Sequence, residues 1–329
     1  MYKQNLNQKE IQKAIKFIKV YYETELSKRL NLTRVSAPLF VTRNSGLNDY
    51  LNEIERPVTF DALNIPEAGN LEIVQSLAKW KRAALKKYGF TVDEGLYTNM
   101  NAIRRDEVPD EVHSLYVDQW DFEKVMDPKD RTIDYLKNEV EKIYSIFIDL
   151  EKILAEKYDY IKAILPEKIK FITTEELRAM YPTHTPKQRE RLITKEFTAV
   201  FLINIGNKLS DGTIHDGRAP DYDDWNLNGD LLFYNSVLDD SIELSSMGIR
   251  VNKDRLLQQL EERNLMHKTK FPFHKMLLDD ELPQTFGGGI GQSRMCQYLL
   301  RCYHIGEVQC SLWTNEILEE MESKNIKLL

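Results

Sequence analysis

The chain has 329 residues, 42% of them apolar, and its 45 Lys and Arg against 52 Asp and Glu give a net charge of −7. A chain of this size can bury a large core, whereas its acidic balance provides no overall field for gripping a nucleic-acid backbone. No apolar run approaches the roughly 20 residues that a membrane-spanning helix needs, and the N-terminus lacks a signal-peptide pattern, so we expect a cytosolic protein.

Two long amphipathic helices are predicted. Asn7 and Glu10 resemble a capping pair before apolar residues at helical spacing, which predicts a helix over residues 7–30. The same periodicity predicts a helix over residues 131–158. Between them, the stretch LTRVSAPLF contains Pro38, which lacks the backbone N–H of a sheet ladder and favours a sheet edge or an interface. We expect a dimer interface there.

Strands are predicted over residues 112–118, 197–205, 230–235 and 241–249. The later segments follow one another through short polar connections rather than through helices, which favours antiparallel pairing over a doubly wound parallel sheet. The expected fold class is therefore α+β, with a mainly antiparallel sheet flanked by helices.

A run of glycines stands near the C-terminus, in QTFGGGIGQSRM, and Arg294 follows it. The run lacks the lysine of a phosphate-binding P-loop and the third glycine of a dinucleotide-binding fingerprint. It predicts a strand whose glycines let a ligand approach the backbone, followed by a helix with Arg294 in its first turn, facing an anion. A second interpretation stays open at this point, in which the glycines permit tight strand–helix packing and Arg294 is solvated.

An upstream segment, MNAIRRDEVPDEVHSLYVDQWD, adds to this pattern. Arg104 and Arg105 precede Asp106 and Glu107 in a predicted hairpin, and Pro109 follows in a loop. An arginine followed by an acid in a hairpin, together with GGGxGxxR near the C-terminus, resembles the class II aminoacyl-tRNA synthetases.

Further motifs narrow the resemblance to one family. The sequence is similar to the ammonia-dependent asparagine synthetases, the aspartate–ammonia ligases, in SLAKWKR, EGLYTNM, VDQWD, KLSDG, RAPDYDDW, NGD, ELSSMGIR, GGGIGQSR and GEVQC. These motifs occur in the family's order from about Asn7 to the C-terminus.

This resemblance implies a class II synthetase catalytic core over residues 1–329, as one domain without an anticodon-binding domain, acting as a homodimer. It implies conversion of L-aspartate, ATP and ammonia to asparagine, AMP and pyrophosphate through a β-aspartyl adenylate, with Mg²⁺. Neither a nucleic acid nor a membrane is expected as a partner.

The resemblance also implies roles for individual residues on the ATP side. Arg104 would contact the α-phosphate and the forming adenylate, and Arg294 the phosphate tail or the purine, since planar guanidinium groups suit bidentate phosphate contacts. Asp230 and Glu243 would hold Mg²⁺. Ser114 and Ser246 are further candidates for contact with ATP.

On the aspartate side, the family implies countercharges for a carboxylate and acceptors for an ammonium group. The expected residues are Lys81, Arg250, Gln119, Asp121 and Asp223, with Gln119 also a catalytic candidate. Asp49 is the candidate that binds ammonium or removes its proton. The neighbours of Lys81 in the same basic run, Lys79 and Arg82, are expected to be solvated.

The three cysteines, Cys296, Cys302 and Cys310, lack metal-ligand spacing and are expected to be buried thiols. Two alternative functions are weighed against the ligase. One is a catalytic fragment of an aminoacyl-tRNA synthetase, disfavoured by the acidic balance. The other is a regulator that binds adenylate or aspartate without catalysis, disfavoured because the residues that chemistry needs are all present.

Overall fold

The computed structural model describes residues 2–329, and a large sheet is its central feature. The helices are α1 (Gln8–Leu30), α2 (Ala78–Tyr88), α3 (Ile133–Lys157), α4 (Thr174–Met180), α5 (Pro186–Phe197), α6 (Lys253–Glu262), α7 (Pro272–Leu278), α8 (Gln292–Leu299) and α9 (Asn315–Ser323). The strands are β1 (Leu32–Arg34), β2 (Phe40–Thr42), β3 (Thr59–Phe60), β4 (Leu71–Ile73), β5 (Gly95–Ile103), β6 (Tyr116–Val125), β7 (Lys170–Thr173), β8 (Ala199–Ile203), β9 (Asp223–Asn235), β10 (Asp240–Arg250) and β11 (Thr285–Gly291).

Eight strands form the main sheet, in the order β1-β5-β6-β11-β10-β9-β8-β7. The six central strands pair antiparallel, and only the outermost pairs, β1 with β5 and β7 with β8, are parallel. Strands β2, β4 and β3 make a small antiparallel sheet. The predicted α+β class with a mainly antiparallel sheet is confirmed.

The two predicted long helices are present and cover one face of the main sheet. Helix α1 begins at the predicted Asn7 cap, whose side chain and that of Glu10 each accept the other's backbone N–H. Tyr22 of α1 stacks on Trp120 of β6, and Phe147 of α3 packs edge-on against Tyr22. The apolar stripes of both helices are thus buried against the sheet.

The predicted strands exist with altered bounds. The segment expected at 112–118 begins at Tyr116 and continues to Val125, because Asp110 accepts the backbone N–H groups of Val112 and His113 and makes a turn there. The segment expected at 197–205 shortens to Ala199–Ile203, since Thr198 takes a left-handed conformation with φ 65° after α5. An apolar pattern does not reveal local side-chain hydrogen bonds or a positive φ, so it predicts the strands better than their ends.

The pleat of β6 and β11 separates an apolar face from a polar one. Trp120 and Phe122 of β6 enter the core, so the alternate residues Gln119, Asp121 and Glu123 project from the opposite face. They stand directly across the ladder from Gly291, Gly289 and Gly287 of β11. Because these glycines carry no side chains, the polar face has a trough along β11.

A bulge in β10 adds two more groups to that polar face. Ser246 pairs with Asp230 of β9 and Glu243 pairs with Leu232, so Leu244 is the extra residue. Without the bulge, side chains three positions apart in a strand would point to opposite faces. The bulge therefore places Glu243 and Ser246 on the same side as Asp230.

Candidate active site

A polar cleft with a volume of about 390 Å³ lies over the trough. All but one of the residues expected at the site line it: Asp49, Lys81, Arg104, Ser114, Gln119, Asp121, Asp223, Glu243, Ser246, Arg250 and Arg294. The exception, Asp230, lies beside the cleft and accepts a hydrogen bond from Arg218, which lines it.

Arginines concentrate at one end of the cleft. Arg294, in the first turn of α8, is oriented by two carbonyl groups: its Nε donates to Val112 at 3.1 Å and its Nη1 to Glu243 at 3.1 Å. The buried Nε of Arg104 has no hydrogen-bond partner in residues 2–329. Guanidinium groups left with free donors beside a cavity are suited to an anion.

Arg218 is a third arginine in the cleft, and the sequence did not assign it a role. It contacts Asp230 through Nη2 and lies 3.8 Å from Asp223 through Nε. Its position at the start of the quoted motif RAPDYDDW was the available signal.

Asp230 and Glu243 form a pair of mutually influencing carboxylates. Burial, with Glu243 nearby, raises the pKa of Asp230 to about 7, although Arg218 opposes the shift. Burial would also raise the pKa of Glu243, but Arg294, Lys187 and Arg218 lower it below its ordinary value. Across residues 2–329 there is no cluster of three or more His, Cys, Asp or Glu arranged for a metal ion. A metal at this pair would need ligands from a substrate.

The opposite end of the cleft is built on a buried ion network. Arg250 donates from Nε at 2.9 Å and Nη2 at 2.8 Å to Glu123, and from Nη1 to Asp223. Lys81 Nζ donates to the Gly288 carbonyl at 2.8 Å and lies 3.5 Å from Asp121. Glu123 is fully buried and was missed from the sequence, although it continues the alternation of Gln119 and Asp121.

The expectation that Lys79 and Arg82 are solvated is wrong. Both are buried, as Lys81 is, because α2 lies between the sheet and the loops on either side rather than at the surface. Lys79 Nζ donates to Asp221 at 2.9 Å, and Arg82 donates to the carbonyls of Pro283 and Val251. Burial lowers the pKa of Arg82 to about 10.

Asp49 is buried in the loop between β2 and β3 and lines the cleft. Its Oδ1 accepts the backbone N–H of Leu51 at 3.0 Å, and its carbonyl accepts a hydrogen bond from Gln75. Burial raises the pKa of Asp49, although the ammonium group of Lys79 opposes the shift. The loop was not recognisable as part of the site by spacing alone.

Ser114 is engaged with the protein at the arginine end. Its Oγ donates to Gln309 Oε1 at 2.6 Å, which ties the loop before β6 to the GEVQC motif. Ser246 lines the same end. Contact of either hydroxyl with ATP stays a prediction.

The expectation for the cysteines is confirmed at two positions. Cys296 and Cys302 are buried, but Cys310 is exposed because it lies in the irregular segment before α9, outside the core. Burial raises the pKa of Cys296 to about 12, which leaves its thiol protonated and unreactive at neutral pH.

We expect Gly289→Ala to impair the cleft. A Cβ at this position would lie 2.4 Å from Gln119 Oε1 and 2.6 Å from Asp121 Oδ1, so both side chains would have to move. The KM for aspartate, the substrate that the family resemblance implies, should rise by roughly tenfold or more, since a displaced contact of about 1 Å has effects of this size or greater. Gly291→Ala is the comparison within the same trough, because its φ of −64° suits alanine and the added Cβ would meet Arg294 at 3.3 Å rather than Gln119 or Asp121, so this KM should change less. Equal KM values in the two variants would contradict the prediction.

The sequence is similar to known proteins of one family. A family model described as Aspartate-ammonia ligase matches residues 9–325. The Aspartate--ammonia ligase of Bacillus cytotoxicus is 57% identical over 328 residues, covering 100% of this chain and 100% of that protein. The protein of the same name from Clostridium perfringens is 56% identical, covering 100% of this chain and 97% of that protein.

Solved structures show the same fold at low identity. An asparaginyl-tRNA synthetase of Entamoeba histolytica in complex with asparaginyl-adenylate has a TM-score of 0.65 at 14% identity, covering 92% of this chain and 66% of that chain. The Pyrococcus horikoshii asparaginyl-tRNA synthetase complexed with asparaginyl-adenylate has a TM-score of 0.64 at 15% identity, covering 93% and 70%. The fold is therefore that of a class II aminoacyl-tRNA synthetase catalytic core.

The match to the family model and the two relatives extend over nearly all of the sequence, and they agree with the motifs that line the cleft. The chain belongs to the aspartate–ammonia ligase family.

Proposed function

We propose that this enzyme of asparagine biosynthesis amidates L-aspartate with ammonia, using ATP and forming a β-aspartyl adenylate, and that it releases L-asparagine, AMP and pyrophosphate. The observation that carries the proposal is one cleft with two chemically different ends. Arg104 and Arg294 lie near Glu243 at one end, and a network of Lys81, Arg250 and carboxylates occupies the other. Arg218 lies between them, in contact with Asp230 and 3.8 Å from Asp223. This arrangement suits a nucleotide phosphate beside an amino acid.

In the activation step, an oxygen of the aspartate β-carboxylate attacks the α-phosphorus of ATP, and the bond from that phosphorus to pyrophosphate breaks. Negative charge on the phosphoryl oxygens is stabilised best by donors already fixed in place. Arg104 lines the cleft, and its buried Nε is bound to no other group among residues 2–329, while Arg294 is held by two carbonyls. We assign Arg104 to the α-phosphate and Arg294 to the remaining phosphates or the purine.

Aspartate itself would bind at the other end of the cleft. Lys81 and Arg250 line the cleft while keeping buried partners, so their positive charges are fixed in position. They complement the substrate α-carboxylate, while Asp121, Asp223 and Gln119 can accept from its ammonium group. The same residues would hold the β-carboxylate near the α-phosphorus.

Asp230 and Glu243 fit a Mg²⁺ ion. Two carboxylates whose charges oppose each other in a buried setting are stabilised by a cation, and Mg²⁺ commonly takes one or two carboxylates together with substrate phosphates. When bound, Mg²⁺ would neutralise part of the phosphate charge. Arg218 would then share the Asp230 carboxylate with the Mg²⁺ ion.

In the amidation step, the nitrogen of ammonia attacks the β-carbonyl carbon of the adenylate, and the bond from that carbon to the AMP oxygen breaks. Ammonium predominates at neutral pH, so a carboxylate that binds the cation and accepts its proton is needed. Asp49 is a carboxylate in the cleft whose pKa is raised by burial, which makes it a better proton acceptor. We assign that role to Asp49.

The test of this function uses the purified protein with aspartate, ATP, Mg²⁺ and ammonium, without tRNA. We expect asparagine, AMP and pyrophosphate in equal amounts. Formation of ADP and phosphate as main products, or a requirement for tRNA, would contradict the proposal.

We expect free ammonia to be the only efficient nitrogen donor. Glutamine-dependent enzymes need a reactive cysteine, whereas Cys296 and Cys302 are buried with raised pKa values and none of the three cysteines lines the cleft. Replacement of Cys296, Cys302 and Cys310 by Ser or Ala should leave ammonia-dependent synthesis largely intact. Each buried site should lose about 1 to 3 kcal/mol of stability. Synthesis from ammonia-free glutamine at a comparable rate, abolished by these substitutions, would refute this expectation.

We further propose that residues 1–329 act as one catalytic domain within a homodimer. Leu39 and Phe40, next to Pro38, are exposed, and Phe40 packs edge-on against exposed Phe60. An exposed apolar patch of this kind favours a subunit interface. Light scattering during gel filtration should give the mass of two chains.

A cytoplasmic location is supported by the three free thiols, because disulfides are rare in the reducing cytosol.

A further inference from the structure

A buried cluster of charges lies beside Asp49 and takes no part in the steps described so far. Asp221 Oδ2 accepts from Lys79 Nζ at 2.9 Å, and His274 Nε2 lies 3.0 Å from the same oxygen. Lys268 Nζ lies 3.4 Å from Asp221 and also contacts Glu53. The side chains of Lys79, Asp221, Lys268 and His274 are all more than nine-tenths buried, so their charges act on one another with little screening.

The cluster is not explained by stability. Several buried charges around one carboxylate are expensive to desolvate, and apolar replacements are often as stable. Only one oxygen of Asp221 is used, because buried Oδ1 has no hydrogen-bond partner among residues 2–329. Lys79 and Asp221 directly adjoin Ala78 and Tyr222, which line the cleft, so a network that costs this much desolvation is a candidate for tuning the site.

The net charge of the cluster together with Asp49 is opposite to that of the ammonium ion. Asp49, Glu53 and Asp221 bring three negative charges, and Lys79 and Lys268 bring two positive ones. His274 is neutral because burial lowers its pKa, although Asp221 opposes the shift. The group therefore has a net charge of −1, next to ammonium bound at Asp49.

We infer that Asp221, held by Lys79, Lys268 and His274, determines the charge around Asp49 and thereby makes this end of the cleft selective for the ammonium cation. Asp221 is a positioning residue that acts through Asp49 and touches no reacting atom. The inference rests on the proposed function, since it concerns the donor that function requires.

The decisive variant is Asp221→Asn, which keeps the shape and removes the charge. With two lysines then balanced by Asp49 and Glu53, the excess negative charge is lost. We expect the KM for ammonium to rise by about tenfold or more, given the size of charge interactions in partly dry sites. Aspartate-dependent exchange of labelled pyrophosphate into ATP, which precedes amidation, should stay within about twofold of the wild type.

Hydroxylamine as the nucleophile distinguishes a loss of cation binding from a general structural defect of the site. It is mostly neutral near neutral pH and attacks the same adenylate carbon to give the β-hydroxamate. Asp221→Asn should therefore keep its hydroxamate rate within about twofold while losing efficiency with ammonium. A purely structural defect would lower both nucleophile reactions and the exchange reaction together.

A second test variant and a control variant accompany Asp221→Asn. Glu53→Gln removes a negative charge from the more exposed side of the cluster, so it should fold even where Asp221→Asn does not, and it should also raise the ammonium KM selectively. Glu151→Gln is the matched control: this buried carboxylate accepts from the backbone N–H groups of Ile164 and Leu165, outside the cleft. Its ammonium KM should be unchanged.

Unchanged ammonium KM values in Asp221→Asn and Glu53→Gln, or equal losses with both nucleophiles, would overturn the inference. Failure of the wild-type protein to make asparagine would instead refute the proposed function. The two failures are distinguishable because the wild type and the variants are assayed side by side.

Discussion

Arg104→Ala should slow formation of the adenylate by on the order of 10²- to 10³-fold, the usual effect of removing one fixed donor from a transition state. Arg104 lies in the hairpin loop between β5 and β6 and lines the cleft, and its buried Nε has no partner among residues 2–329. The loss should fall on aspartate-dependent exchange of labelled pyrophosphate into ATP. Thermal stability should change little, since no protein contact of that nitrogen is lost.

The adjacent Arg105 provides the control. It is exposed and does not line the cleft. Arg105→Ala should keep near-wild-type exchange. Near-wild-type exchange in Arg104→Ala as well would remove Arg104 from the activation step.

Glu123→Ala should destabilise the protein by about 3 to 5 kcal/mol, because it leaves buried positive charge without its partner. Glu123 accepts hydrogen bonds from two nitrogens of Arg250 and one from Thr285, and it lies 3.9 Å from Lys81. Urea unfolding near pH 7 measures the loss. The KM for aspartate should rise in parallel, since Arg250 and Lys81 would no longer be held.

This contribution depends on pH in a defined direction. Burial alone would raise the pKa of Glu123, but Arg250 and Lys81 lower it below its ordinary value. A carboxyl with a lowered folded-state pKa stabilises the fold above its ordinary pKa and loses that contribution as pH falls through the folded value. The difference between wild type and Glu123→Ala should therefore shrink in acid.

Thr285→Val is the matched control for Glu123→Ala. It removes only the hydroxyl that donates to Glu123 at 2.6 Å and keeps a side chain of similar shape. A loss of about 1 kcal/mol is expected for one hydrogen bond. Equal losses in the two variants would show that Glu123 is not the centre of the network.

The sequence by itself determined the parts of this protein that rest on local pattern. Capping residues and 3.6-residue periodicity located α1 and α3, and short polar connections between successive strand candidates predicted the antiparallel sheet. The glycine run predicted a strand followed by a helix with Arg294 in its first turn, and both elements are confirmed. Family resemblance supplied the candidate residues that spacing could not.

Only the tertiary structure decided which charges are buried and with which partners. Lys79 and Arg82 resemble surface residues in sequence, yet the sheet and loops close over α2 on both sides. Glu123 and Asp221 find partners far away in the chain, Glu123 in Arg250 and Asp221 in Lys79. Helical periodicity records one buried stripe but carries no information about a second layer above it, and burial rather than spacing sets the charge that each group carries.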